Sequence, residues 1–192
     1  MSKLFPPPKN IGLKFLAACL LFAAGAAGVR AEDERVITFA DADVGKPMPS
    51  WSGQGVTIEP VGKLKRSQAA PRVMFFPRLK TDKKGILSAM AAEAIPVRIR
   101  IPDGASRVTL IMWGSITSAA LVEALDEDGN VVAQAALERV PRRTSPADPI
   151  PSFELTVESP EILAVRFSGA LPGGFLAVEE IRLTPMPAWH SP

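Results

Sequence analysis

The 192-residue chain has no tyrosine, a single cysteine, Cys19, and a single histidine, His190. Nucleophile-base-acid machinery of the Ser-His-Asp or Cys-His kind needs a histidine inside the folded body, and His190 sits in a short terminal stretch. Zinc centres built from cysteine and histidine fail on the same count. Without a second cysteine there is no disulfide, so stability must come from a packed core. The absence of tyrosine removes the amphipathic aromatic most used on recognition surfaces. No phosphate-binding loop is present, since the glycines at 169–174 lack the lysine and serine pattern that cradles a nucleotide.

The first 31 residues combine Lys3, Lys9 and Lys14 with an apolar run and end on Val29-Arg30-Ala31. Small residues stand at the two positions a signal peptidase reads, so a secretory signal over 1–31 is expected, with cleavage after Ala31. About fifteen apolar residues follow Lys14, fewer than the roughly twenty a spanning helix requires. Stable membrane insertion after signal removal is therefore not expected. Leu16-Ala17-Ala18-Cys19 also has the form of a lipoprotein box, and lipidation at Cys19 stands as the alternative to cleavage after Ala31. Either route places the protein outside the cytoplasm, in the periplasm or the extracellular medium. Removing 1–31 changes 22 basic against 20 acidic residues into 18 against 20. The basic excess belongs to the leader, and no nucleic-acid footprint remains. The clusters Lys63-Lys65-Arg66, Lys83-Lys84 and Arg139-Arg142-Arg143 lie in loop-like stretches, where a solvated face outweighs a polyanion site.

The stretch 107–137 reads as consecutive strands. Residues 108–113 are apolar apart from Thr109 and suit a central strand covered on both faces. Ala120, Val122 and Ala124 then alternate with Leu121, Glu123 and Leu125, as in a half-buried strand that leaves Glu123 in water. Asp126-Glu127-Asp128-Gly129-Asn130 closes a hairpin, and 131–137 returns. Asp126 and Asp128 have the alternation that opens an EF-hand loop, but Leu137 occupies the twelfth position where a glutamate is needed, which favours an ordinary turn.

Further strands are expected at 35–39, 56–58, around 73–76, at 97–101, where Arg98 and Arg100 alternate with Val97, Ile99 and Ile101, and at 153–157, 163–167 and 175–183. Pro102-Asp103-Gly104 is read as a turn between separate strands, and Ser159-Pro160 as another. Ile86, Leu87, Met90 and Ala94 have the spacing of one short helix over 85–94. The proline-rich 138–151 should be an extended connection between sheets. The organisation expected is signal peptide 1–31, domain 32–184 and flexible tail 185–192. The fold class is all-β: a two-sheet antiparallel β-sandwich or jelly roll with at most one short helix.

ALVEALDEDGNVV, FELTV, ILAVRFSG and FLAVEEIRLT, taken as successive strands, resemble the galactose-binding-like jelly-roll domains of carbohydrate-binding modules and many exported bacterial proteins. The resemblance covers about residues 108–184 and, more loosely, 36–58. It implies a non-catalytic binding or structural module, with a polysaccharide or an envelope protein as partner. It also implies calcium as a structural cofactor, held with backbone carbonyls by an acid near the start and another on the last strand. The matching positions are Asp41 or Asp43 and Glu179 or Glu180. Glu179 shares strand parity with Phe175, Ile181 and Leu183 and would point inward. A hydrogen-bonded partner, inward Glu180 instead, or a bridging cation would each resolve that. Trp113 belongs to the core strand. Trp51, in a loop, is the one candidate ligand-binding aromatic, set against the reading that it plugs the sandwich end. The alternative to a binding module is a carboxylate glycoside hydrolase, which needs only Asp and Glu, though no acid pair stands out.

Overall fold

The computed structural model describes residues 34–45, 51–64, 70–75, 84–87, 95–115, 119–170 and 174–187. The proposed signal with Cys19 and the cleavage site, Lys65, Arg66, Lys83, the Met90 and Ala94 end of the expected helix, and His190 all lie outside the described residues. Ten strands and no helix are present among the described residues.

The strands are β1 (Arg35–Thr38), β2 (Trp51–Gly53), β3 (Val56–Pro60), β4 (Arg72–Met74), β5 (Gly85–Leu87), β6 (Val97–Gly114), β7 (Ala120–Leu125), β8 (Val131–Leu137), β9 (Phe153–Ser168) and β10 (Leu176–Thr184). Every strand pairing is antiparallel. Two strands are far longer than the rest, and they organise the molecule. The first part of β6 pairs with β3, and its last part pairs with β10. Along its whole length β6 also pairs with β9, whose C-terminal part pairs in turn with β7. The strands thus form two layers: one holds β4, β5, β1, β10 and the adjoining parts of β6 and β9, the other β2, β3, the remaining parts of β6 and β9, β7 and β8. Side chains from both layers make one core, among them Ile37, Ile58, Ile99, Leu110, Val122, Phe167, Val178 and Ile181. This is the expected β-sandwich.

The segments 97–101 and 108–113 are one strand. Pro102-Asp103-Gly104 bends the chain from one layer to the other instead of reversing it, and the pairing with β9 shifts register on both sides of Ala105. Gly104 takes φ +69° there, and Ser106 Oγ donates to Pro185 O at 2.9 Å, tying the corner to the end of β10. Ser159-Pro160 likewise lies inside a continuous β9. Bulges and glycine let a long strand change sheets without a loop.

Three smaller departures share that logic. The expected helix begins as strand: Gly85–Leu87 pairs with β4 and β10, because Ile86 fills the core between them. Trp51 opens a strand instead of lying in a loop, since Gln54 and Gly55 both take positive φ, 51° and 77°, and close a two-residue hairpin onto β3. Glu179 is an extra residue in a β10 bulge between Val178 and Glu180, so Phe175 falls on the face opposite Ile181 and Leu183. The Asp126 turn forms as expected. Its carboxylate accepts from Asn130 N at 2.8 Å and Asn130 Nδ2 at 3.0 Å, and those bonds hold the Asp126 carboxyl below its ordinary range.

Candidate functional site

Residues 138–152 leave the end of β8 and cross the outer face of the first layer before entering β9. Val140 is buried in the main core, while Ile150 packs on Trp113 and Ala177, a small apolar cluster on the outer side of the sheet. Between those anchors the chain is tied to itself around Asp148. Its Oδ2 accepts from Thr144 Oγ1 at 2.6 Å and Ser145 N at 2.9 Å, and Arg143 Nη1 donates to the carbonyls of Pro146 and Asp148 at 3.2 and 3.4 Å. Prolines on either side keep the stretch out of a sheet, and the Asx-type bonds give it a fixed shape.

This connection and the ends of β6 and β10 enclose a cleft of about 740 Å³. Phe175 and Ile150 supply apolar surface, with the Phe175 ring set edge-on to Trp113 at 5.7 Å and 80°. The two chain ends are locked together: Ser115 N donates to Phe175 O at 2.9 Å and Phe175 N to Ser115 Oγ at 3.2 Å. A Cβ on Gly114 would stand 2.8 Å from Phe175 O and from Leu176 Cδ2, so the approach requires glycine. Arg142 and Arg143 line the opposite wall with Thr144 and Ser145. Among the described residues neither guanidinium has a carboxylate within salt-bridge distance. The cleft therefore offers positive charge, hydroxyls and an apolar floor together.

The outer face of the second layer is polar in a different way. One cross-strand row runs Glu59, Arg98, Arg166, Glu123, Gln134 over β3, β6, β9, β7 and β8. Glu59 Oε1 accepts from Arg98 Nη2 at 2.7 Å and Arg100 Nε at 2.6 Å, and Arg166 Nε donates to Glu123 at 2.7 Å. The Arg100 hydrogen bond leads in holding the Glu59 carboxyl below its ordinary value, and Glu123 raises the Arg166 guanidinium further. These charges neutralise one another, which suits a solvated sheet face.

Asp41 and Asp43 lie exposed in the turn after β1. Glu180 pairs with Thr38 in the ladder and accepts from Arg182 Nε at 2.5 Å. Glu179 is buried, only 4% exposed, and accepts from Ser152 Oγ at 3.2 Å. Among the described residues no three metal-ligating side chains come together. Two carbonyls of the same turn, Ala40 O and Ala42 O, accept from the Lys84 ammonium at 2.5 and 3.0 Å. Trp51 is half-buried, folds over Gly53, and meets Phe39 edge-on at 5.8 Å. The cleft escaped sequence reasoning because its parts are far apart in the chain; the one local signal was Arg142-Arg143 inside a proline-rich connection.

No protein-family model matches the chain, and no curated protein matches it in sequence. Solved structures do resemble it. The K2 cleaved adhesin domain of Lys-gingipain matches with a TM-score of 0.52 and 14% identity, over 79% of this chain and 99% of that one. The K1 cleaved adhesin domain of Lys-gingipain from Porphyromonas gingivalis W83 matches at 0.47 and 10%, over 81% and 99%. A CBM29-2 carbohydrate binding module matches at 0.37 and 7%, over 71% and 96%. The first of these likenesses shows that the chain shares its β-sandwich fold with an adhesin domain.

Proposed function

We propose that the protein is a non-catalytic binding module of an exported protein, and that the cleft beside Phe175 takes an acidic polysaccharide. The observation that carries this reading is the placement of Arg142 and Arg143, without carboxylate partners among the described residues, beside an apolar floor and hydroxyl groups. A sugar ring presents an apolar face and a rim of hydroxyls, and a uronate carboxylate matches the guanidinium fork. The adhesin fold and the export signal expected at 1–31 agree with an extracellular partner of this kind. We further propose that Lys84, bonded to Ala40 O and Ala42 O in the turn that holds Asp41 and Asp43, takes the place of the structural calcium expected from Asp41 or Asp43 with Glu179 or Glu180.

Affinity electrophoresis through gels containing polygalacturonate, alginate or a neutral glucan tests the ligand class. Retardation is expected in the acidic gels. It should be lost with Arg142→Glu, which reverses the charge in the cleft; Arg142 is exposed and has no hydrogen bond or ion pair among the described residues, so the variant should fold as the wild type. Equal migration in all gels would overturn the reading, and release of reducing sugar from a retained polymer would replace it with the hydrolase.

A further inference from the structure

Among the described residues the second layer ends at β8, which pairs with β7 on one side only. Strands β1, β2 and β4 also have a free side among these residues but are three or four residues long, and the first part of β9, which pairs with β6 alone, carries Glu154 and Glu158. β8 is seven residues, VVAQAAL, with no charge, no proline and no glycine. Val131 and Val132 are 46% and 41% exposed, and none of its residues is buried. Natural sheets protect a long uncharged edge with lysine, proline or a bulge; β8 has neither lysine nor proline, and its register shift falls at its start, where Ala124 pairs with Ala133 and Leu125 with Val131, so Ala133–Leu137 is left regular.

We propose that the free edge of β8 pairs with the β8 of a second copy, antiparallel about a two-fold axis at Gln134, extending the second layer across a homodimer. The segment is self-complementary in that arrangement. Gln134 meets its own counterpart, where two amides can bond each other, and Ala133 faces Ala135, while the bulge at Val132 faces the end of the partner strand. No like charges meet along the strand. The flanks also match. β8 begins at the acidic turn holding Asp126, Glu127 and Asp128 and ends at exposed Arg139. An antiparallel two-fold therefore brings the Arg139 of each copy to the acidic turn of the other, beside Asp128. A parallel pairing would bring the acidic turns together instead. An isologous strand pair of this length buries a small area, so the dimer is expected to be weak and to form with rising concentration.

Sedimentation equilibrium between about 10 µM and about 1 mM reads this directly. The expected result is a monomer-dimer equilibrium. Gln134→Lys, which puts two ammonium groups face to face, should raise the dimer Kd roughly fivefold to tenfold. Since Gln134 is exposed, its thermal melt should stay at the wild-type midpoint. Arg139→Asp should weaken the dimer, and Arg139→Asp combined with Asp128→Arg should restore it. A monomer throughout the range overturns the proposal. So does a dimer indifferent to Gln134→Lys, since its interface lies elsewhere. These outcomes do not depend on polysaccharide binding, which is read separately in the gels.

Discussion

Glu59 stands between the guanidinium groups of Arg98 and Arg100, and its charge is coupled to folding. Because the folded protein holds this carboxyl below its ordinary value of 4.5, the ion pairs stabilise the fold fully above that pH, and the contribution is lost as the pH falls below it. Glu59→Gln is expected to lower stability by about 1 kcal/mol at pH 7. Urea melts of wild type and variant should converge as the pH drops below the carboxylate's ordinary range; a constant gap would show that charge is not the cause. At this scale the alternation of Arg98 and Arg100 with Val97, Ile99 and Ile101 announced which side chains face water. It could not announce their partners, because Glu59 and Arg166 come from strands paired only in the folded chain. Glu179 shows the opposite limit. Its burial was legible from parity, but the bulge that places it interrupts parity, so the face assigned to Phe175 was reversed.

At the level of elements, most strands follow from alternation, and the errors fall where the chain bends. Pro102-Asp103-Gly104 has the composition of a reversing turn, yet it makes a corner inside β6. Local composition specifies a change of direction without specifying its angle; the register against β9 decides that. Gly104 at φ +69° is the residue on which the corner depends. Gly104→Ala should cost about 1 to 2 kcal/mol, because a Cβ in the left-handed region meets its own carbonyl. The new methyl would also stand 2.6 Å from Met186 Cε, the mobile end of a side chain that can move aside. Urea denaturation checks this, and an unchanged midpoint would show that the corner does not require glycine. The strand at Gly85–Leu87 failed for a related reason: a three-residue strand cannot display its period, and the alanines beyond it matched a helical one.

For the whole molecule, the strand spacing pointed to a sandwich. The cleft stayed hidden because it needs residues 114–115, 141–150 and 175 brought together. The Lys84 contacts lead to a test on the intact domain. Thermal melts in EDTA and in millimolar calcium should superimpose, while Lys84→Met, which leaves the carbonyls of Ala40 and Ala42 without their donor, should lose about 1 to 3 kcal/mol in both buffers. A rise in melting temperature with calcium alone would return the turn to a metal. The shared strands carry the last consequence. Since β6 and β9 contribute backbone to both layers, the two ladders are continuous through the corner and are expected to open together. Hydrogen exchange checks this: amides in 97–100 and in 108–112 should exchange with the same free energy of opening, and a layer that exchanges faster than the other would show two separate foldons.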